Sequence, residues 1–312
     1  MRTFASIVLS LTVVIHAAAA PQPEHVIIIS IDGAKPTVIA ESEMPTLKRL
    51  AAEGSVTWEA STIFPPKTLP SHTSMLTGVG PDKHQILWND YLAIRGPVKV
   101  PTVFTLARAQ DPATSTAMFV GKIKFRHLWV KDSLDEFNLG GPMKPGPVPP
   151  EELKAASTSQ IIAGQAAAYI LEHKPKLCFI HFPDPDKAGH ASGWGSPEQK
   201  EALKVTDQAL SQITKALKQA GIAENTVILI SADHGGHEKG HGENIPDDMN
   251  IPWVAWGAGV KKGHAIQRLV TTYDTAATAL WLLGVPIPES FDGKPVKEAF
   301  EAMPEPAVTP KS

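Results

Sequence analysis

Short apolar runs recur along the chain with turn-forming residues between them. Val26-Ile27-Ile28-Ile29-Ser30-Ile31, Leu177-Cys178-Phe179-Ile180-His181-Phe182 and Val227-Ile228-Leu229-Ile230 are the clearest. Together with weaker runs they predict strands over 25–31, 56–61, 115–120, 177–183, 226–231 and 252–256. Several are apolar throughout, the pattern of strands covered on both faces. Between them the spacing of apolar positions predicts helices over 45–53, 69–76, 101–110, 156–173, 197–220 and 272–283. Strands alternating with helices predict an α/β fold, a three-layer α/β/α sandwich with a mostly parallel central sheet. In such sheets functional groups collect beyond the carboxyl ends of the strands.

The segment 139–150 is rich in Gly and Pro and reads as a loop. Candidate site residues lie on both sides of it, so residues 21–302 are expected to form a single domain. The Pro-rich stretch 303–312 reads as a flexible tail. At the N-terminus, Arg2 precedes an apolar stretch from Phe4 to Ile15, and Ala17-Ala18-Ala19-Ala20 follows before Pro21. That layout predicts a signal peptide over 1–20, too short for a comfortable membrane span. The mature chain is then periplasmic or secreted with no stable membrane insertion; an uncleaved anchor is the alternative.

At 312 residues and 43% hydrophobic content the chain can bury a full core. A net charge of −3 gives no basic field, which argues against a nucleic-acid scaffold. Cys178, the only cysteine, cannot pair within the chain and sits in an apolar strand as a small buried side chain.

The chemistry gathers at predicted strand ends. Asp32 follows the first strand, Asp186 and His190 follow 177–183, Ala232-Asp233-His234 closes 226–231, and His241 lies in Gly240-His241-Gly242. Each alone has a bland explanation: a turn aspartate before Gly33, a loop histidine, a competing carboxylate at Asp184, a competing imidazole at His237. Together, carboxylates and imidazoles at strand ends are what a two-metal hydrolytic centre requires. A hydroxyl is supplied by Phe64-Pro65-Pro66-Lys67-Thr68-Leu69-Pro70-Ser71-His72. Pro70 suits the first turn of a helix, so Thr68 falls at or just before a helix N-terminus. There it is either a plain N-cap or a nucleophile in a site that favours phosphate. Ser71 and His72 are rivals, but neighbouring residues on a helix point about 100° apart and do not meet easily.

Ser30-Ile31-Asp32-Gly33, the Thr68 segment with Leu76-Thr77-Gly78, His84-Gln85-Ile86-Leu87-Trp88-Asn89, Asp184 to His190, Ala232 to Gly236, and Gly240 to Gly242 occur in this order. The series resembles the type I phosphodiesterase/nucleotide pyrophosphatase family of the alkaline phosphatase superfamily and spans about residues 25–260. The resemblance implies two zinc ions, or other divalent transition metals. Asp186, His190 and His241 would hold one; Asp32, Asp233, His234 and the Thr68 oxygen would hold the other. It implies that Thr68 attacks phosphorus to form a phosphothreonine, that Asn89 donates to a phosphate oxygen, and that the fold is alkaline phosphatase-like. The substrate would be a small phosphoester, possibly a nucleotide.

Two departures from the family pattern stand out: Gln85 occupies a position where glycine is usual, and His237 intervenes before His241. A diester substrate is favoured over a monoester, because a dianion calls for an extra cationic clamp and no arginine lies near Thr68 or Asn89. Lys122, Lys124 and Arg126 either reach the site or form a solvated loop. Phe64, Trp88 and Tyr91 offer a stacking wall for a nucleoside or pack in the core. A phosphomonoesterase, a phosphonate hydrolase or an exported zinc- or phosphoester-binding protein without turnover are the alternatives. A sulfatase would need a modified Cys or Ser in a Cys/Ser-x-Pro-x-Arg pattern, which Thr68-Leu69-Pro70-Ser71-His72 lacks.

Overall fold

The computed structural model describes residues 22–144 and 156–302; the proposed signal segment, the tail and residues 145–150 of the loop lie outside them. Among the described residues eight strands form one sheet: β1 (His25–Ile31), β2 (Ser55–Ser61), β3 (Thr116–Phe119), β4 (Glu136–Asn138), β5 (Leu177–Phe182), β6 (Thr226–Ser231), β7 (Asn250–Gly257) and β8 (His264–Ala265). Their order is β4-β3-β5-β1-β6-β7-β2-β8. Every pairing from β4 to β6 is parallel, and β7 alone runs against its neighbours. The sheet is thus mostly parallel, as the alternation predicts.

The helices are α1 (Pro36–Glu41), α2 (Pro45–Glu53), α3 (Thr68–Thr77), α4 (Pro81–His84), α5 (Val103–Gln110), α6 (Ser159–His173), α7 (Asp184–Ser192), α8 (Pro197–Gln219), α9 (Pro246–Met249) and α10 (Asp274–Leu282). α1, α2, α6 and α8 pack together on one set of neighbours, while α3, α5 and α10 pack with one another on a second set. With helices on both faces, β1, β5 and β6 are buried at every position, which accounts for their unbroken apolar runs. Burying an aliphatic side chain contributes roughly 1.5–3 kcal/mol, so the isoleucines of β1 anchor the sheet centre.

Register decides what meets at the carboxyl edge. Ile31 pairs with Phe182, and Ser30 pairs with Ser231, so Asp32, the start of α7 and Ala232-Asp233 emerge side by side. β3 lies beyond β5, with Phe119 opposite Ile180, and this brings the segment after β3 to the same edge. Gly121 is required there, because a Cβ would come 2.3 Å from the Pro183 ring. Among the described residues no helix is long and apolar enough to cross a membrane.

Candidate active site

Three carboxylates and three imidazoles, Asp32, Asp186, Asp233, His190, His234 and His241, face one another above β5, β1 and β6. His234 Nε2 lies 3.3 Å from Asp233 Oδ2, 3.5 Å from Asp32 Oδ1 and 4.0 Å from Asp186 Oδ1. His190 Nε2 and His241 Nε2 approach the same Asp186 Oδ1 at 3.3 and 3.6 Å. α7 brings Asp186 and His190 together, four residues apart on one helical face. His241 stacks on His234, with ring centroids 3.6 Å apart.

The tautomers of these imidazoles follow from their other nitrogens. His190 Nδ1 meets the Lys239 carbonyl at 2.9 Å, His234 Nδ1 meets Gly235 O at 2.8 Å, and His241 Nδ1 meets Pro66 O at 2.8 Å. A carbonyl only accepts, so each Nδ1 carries a proton, and in its neutral form each ring turns an Nε2 lone pair inward, although Asp186 favours the charged form of His190. Those lone pairs face carboxylate oxygens, which when ionised also only accept. Asp32 Oδ1, Asp186 Oδ1, Asp233 Oδ2 and His234 Nε2 are accordingly buried without a hydrogen-bond partner. Buried polar atoms aimed at one another in this way fit a cation between them. Among the described residues two overlapping sets have metal-binding spacing, Asp186 with His234 and His241, and Asp32 with Asp233 and His234. His234 belongs to both sets, and His190 stands beside the first.

The outer carboxylate oxygens are held by protein. Asp233 Oδ1 accepts from the backbone N–H groups of Gly33 and His234, both at 3.1 Å. Asp32 Oδ2 accepts from His181 Nε2 at 2.7 Å and from Lys122 Nζ at 2.6 Å; the same ammonium reaches Asp186 Oδ2 at 2.6 Å. Burial opposes charge on Asp32, but Lys122 and His181 outweigh it and hold this carboxyl well below its ordinary range. Asp186 is lowered in the same way, against burial and the charge of Asp32, chiefly by Lys122. Burial, and then the negative charge of Asp32, raise Asp233 well above its ordinary range. Burial would lower Lys122, yet Asp32, Asp186 and Asp233 raise it. His241 is pushed down to about 4 by burial and by His234.

Thr68 is the first residue of α3 and is 1% exposed. Lys67 precedes it with an extended backbone and makes no side-chain cap, so the Thr68 hydroxyl is not used as an N-cap. That hydroxyl lies 3.4 Å from Lys122 Nζ. Asn89 reaches the same helix end, its Oδ1 accepting from Leu69 N at 2.9 Å, which leaves its Nδ2 donors for another acceptor. His72 Nδ1 donates to Thr68 O at 2.7 Å, and His72 Nε2 accepts from Ser30 Oγ at 2.7 Å. Ser71 Oγ instead accepts from Thr62 Oγ1 at 3.1 Å, so Ser71 and His72 form no dyad.

The remaining alternatives separate cleanly. Asp184 accepts from Ser159 N at 2.8 Å, so its carboxylate is engaged at the start of α6. His237 bonds Asp248 at 2.8 Å, and Asp248 also accepts from Gly242 N and Glu243 N, so this pair shapes the loop that carries His241. Of Lys122, Lys124 and Arg126, Lys122 is in direct contact. Trp88 and Tyr91 pack edge-on or tilted against His127, whereas Phe64 is 57% exposed. Two contributors escape sequence reasoning. His181 looks like part of an apolar run, and Trp194 donates to Gly33 O at 2.9 Å while its ring abuts His190 and His241.

Residues 26–248 match the family model described as type I phosphodiesterase / nucleotide pyrophosphatase. The bis(5'-adenosyl)-triphosphatase ENPP4 of Bos taurus is 24% identical over 234 residues, covering 70% of this chain and 49% of its own. The chain thus spans about half the length of such curated relatives. Among solved structures, an inactive variant of murine ectonucleotide pyrophosphatase/phosphodiesterase 5 in complex with AMP superimposes with a TM-score of 0.71 at 14% identity, covering 89% of this chain and all of that one. A phosphonate monoester hydrolase from Silicibacter pomeroyi gives 0.66 at 14% identity, with 92% and 78% covered, and shares the fold.

Proposed function

Because this chain belongs to the type I phosphodiesterase/nucleotide pyrophosphatase family, we propose that it is a metal-dependent hydrolase of small, nucleotide-type phosphodiesters or phosphate esters, acting through a phosphothreonine at Thr68. The observation that carries this reading is the buried Thr68 hydroxyl beside Lys122 Nζ, which in turn spans the two carboxylates Asp32 and Asp186.

Asp186, His190 and His241 would hold one divalent cation, and Asp32, Asp233, His234 and the Thr68 oxygen a second, with zinc as the expected metal; His234 has the placement to serve either. Such cations would supply Lewis-acid polarisation of phosphoryl oxygens and charge neutralisation at the reacting centre. The chain's own groups do the rest. Lys122 donates toward Thr68 Oγ1 and favours its anionic form. Asn89, oriented by the Leu69 N–H, directs its Nδ2 donors at an equatorial phosphoryl oxygen. The N-terminal end of α3 adds the positive end of its dipole to the same spot. As the Thr68 oxygen bonds to phosphorus the leaving oxygen departs, and water then cleaves the phosphothreonine.

We place this chemistry in a single domain over residues 21–302, in a periplasmic or secreted protein released from a signal peptide at 1–20. Thr68→Ala tests the reading. Turnover of bis-p-nitrophenyl phosphate and of p-nitrophenyl phosphate should fall by about 10³-fold or more while bound metal is retained. Acid quenching of the unaltered enzyme should trap phosphate on the Thr68 peptide. Full activity in the variant would remove the nucleophile, and stoichiometric metal with no hydrolysis of any ester would leave a binding protein.

A further inference from the structure

Three loops of the candidate site close on one indole. Trp194 follows α7 and donates its Nε1–H to the Gly33 carbonyl at 2.9 Å, next to Asp32. Its ring meets the His190 ring edge-on, with centroids 5.3 Å apart, and the His241 ring at 5.9 Å. Its backbone N–H donates to Glu238 O at 2.7 Å, in the turn whose next carbonyl, Lys239 O, meets His190 Nδ1. Trp194 thus joins the β1–α1 loop, the end of α7 and the turn that leads to His241.

Glycines clear the space for that indole. A Cβ on Gly236 would come 2.2 Å from Trp194 Cε2, one on Gly189 2.8 Å from Cε3, and one on Gly33 3.2 Å from Cζ2. Gly33 follows Asp32, Gly189 precedes His190, and Gly236 lies two residues after His234. Trp194 is half-buried and stands outside the apolar core. What it packs on is the backbone and the imidazoles of the site. Close packing against three backbones leaves the ring one position, and it passes that constraint to the imidazoles beside it.

The two ligand sets share these contacts unequally. His190 and His241 meet the ring through their side chains, whereas Asp32 and His234 are reached through the backbone of Gly33 and Gly236. His190 is also the most exposed of the six inward-facing groups, with 47% of its side chain accessible. It therefore depends most on a neighbour for its orientation.

We propose that Trp194 is a positioning residue for the first cation: it holds the His190 and His241 imidazoles at a fixed angle to Asp186 and so sets the affinity of that position apart from the second. This rests on the two-cation hydrolase reading above. The indole acts through the imidazoles and the Gly33 carbonyl.

The test titrates metal-free protein with zinc against a chromogenic chelator, for the unaltered chain and for Trp194→Ala, Trp194→Leu and Trp194→Phe. Denaturation midpoints of the metal-free forms and turnover of bis-p-nitrophenyl phosphate are followed alongside. The unaltered chain should bind two zinc ions. Trp194→Ala should weaken one of them about 30-fold and the other less than about 3-fold, and Trp194→Phe, which keeps a ring but no N–H, should recover most of the loss. Trp194→Leu keeps the place filled without a ring and should weaken the same ion, which preserves the test where Ala does not fold. In a His190→Ala background Trp194→Ala should weaken zinc by less than about 10-fold, because one of the groups it orients is gone. Zinc affinities indifferent to Trp194, equal weakening of both ions, a lowered midpoint with unchanged affinity, or full additivity with His190→Ala each overturn the positioning role; continued ester turnover then leaves the hydrolase reading standing. Zinc binding graded by Trp194 with no ester hydrolysed overturns the hydrolase reading and leaves the positioning role.

Discussion

His181 donates its Nε2–H to Asp32 Oδ2 at 2.7 Å, and the direction of that bond is set from behind, since the Gly121 N–H points at His181 Nδ1 from 3.1 Å. Only the Nε2–H tautomer satisfies both partners. One oxygen of Asp32 is thereby tied to protein, and the other, Oδ1, is left facing the cluster. The same segment holds Asp32 twice, through the Gly121 backbone by way of His181 and through the Lys122 side chain directly.

Replacing His181 by Ala should therefore loosen metal without removing a ligand. We expect affinity for the divalent ion to weaken about 10–100-fold, measured by competition with a chromogenic chelator. His181→Gln, which can still donate to Asp32, should recover part of the loss. Unaltered affinity in both variants would reduce His181 to a core residue.

His241 and His237 should behave as opposites. His241→Ala removes an Nε2 that faces Asp186, and should lower bound metal per chain. His237→Ala breaks the bond to Asp248 but leaves the inward-facing groups in place, so metal stoichiometry should persist. Elemental analysis of the two purified variants distinguishes them; metal loss in His237→Ala alone would reverse the assignment.

Gln85 closes α4 with φ 59°, a left-handed conformation that suits glycine better than a side chain. Gln85→Gly should raise stability by roughly 0.5–1 kcal/mol, less what is lost with the Gln85 bond to the Asp82 carbonyl. Chemical denaturation gives the sign directly, and a loss of stability would mean that the side-chain bond outweighs the backbone strain.

Acid should unfold the metal-free protein progressively below pH 6.5. His84 is buried, its Nδ1 accepts from Ile86 N, and burial lowers it to about 4. His241 is lowered to about 4 by burial and the neighbouring His234. In the unfolded chain both take up protons below about 6.5, whereas in the folded chain they stay neutral until about 4. The unfolded state then binds more protons, so stability falls with falling pH through that window, by up to about 1.4 kcal/mol per pH unit for each histidine. Denaturation midpoints at pH 7.5, 6 and 5 measure the slope. In His84→Gln the slope should be shallower, and an equal slope would count against this cause.

How much of this was legible beforehand depends on what each residue's signal rests on. β1 and β6 match the predicted bounds because uninterrupted apolar runs arise only when both faces are covered. Helix starts were less exact: α5 and α6 begin at Val103 and Ser159, after Thr102 and Thr158, whose side chains accept from Thr105 N and Ile161 N. β4 and β8, three and two residues long, are too short to carry a period, and α7 contains Pro185 and Gly189 and has little apolar content. The reversed direction of β7 is a property of its neighbours and leaves no local mark. Asp32, Asp233 and His234 stand out as polar residues at apolar strand ends. His181 could not, because its meaning comes from β5 lying next to β1, which is a fact of strand order. Lys122 was one of three basic residues with equal claims until the register of β3 against β5 set it at the shared edge.

That shared edge has a consequence for the life history of the polypeptide. Asp32 leaves a strand formed by the first few dozen residues, while Asp233, His234 and His241 belong to a strand and loop near the other end. A chain synthesised only as far as α7 holds Asp32, Asp186 and His190 but lacks Asp233, His234 and His241. If these groups hold an ion as proposed, its capture by Asp32 together with Asp233 and His234 waits until β6 docks against β1, and a bound ion then reports that this parallel pair has formed.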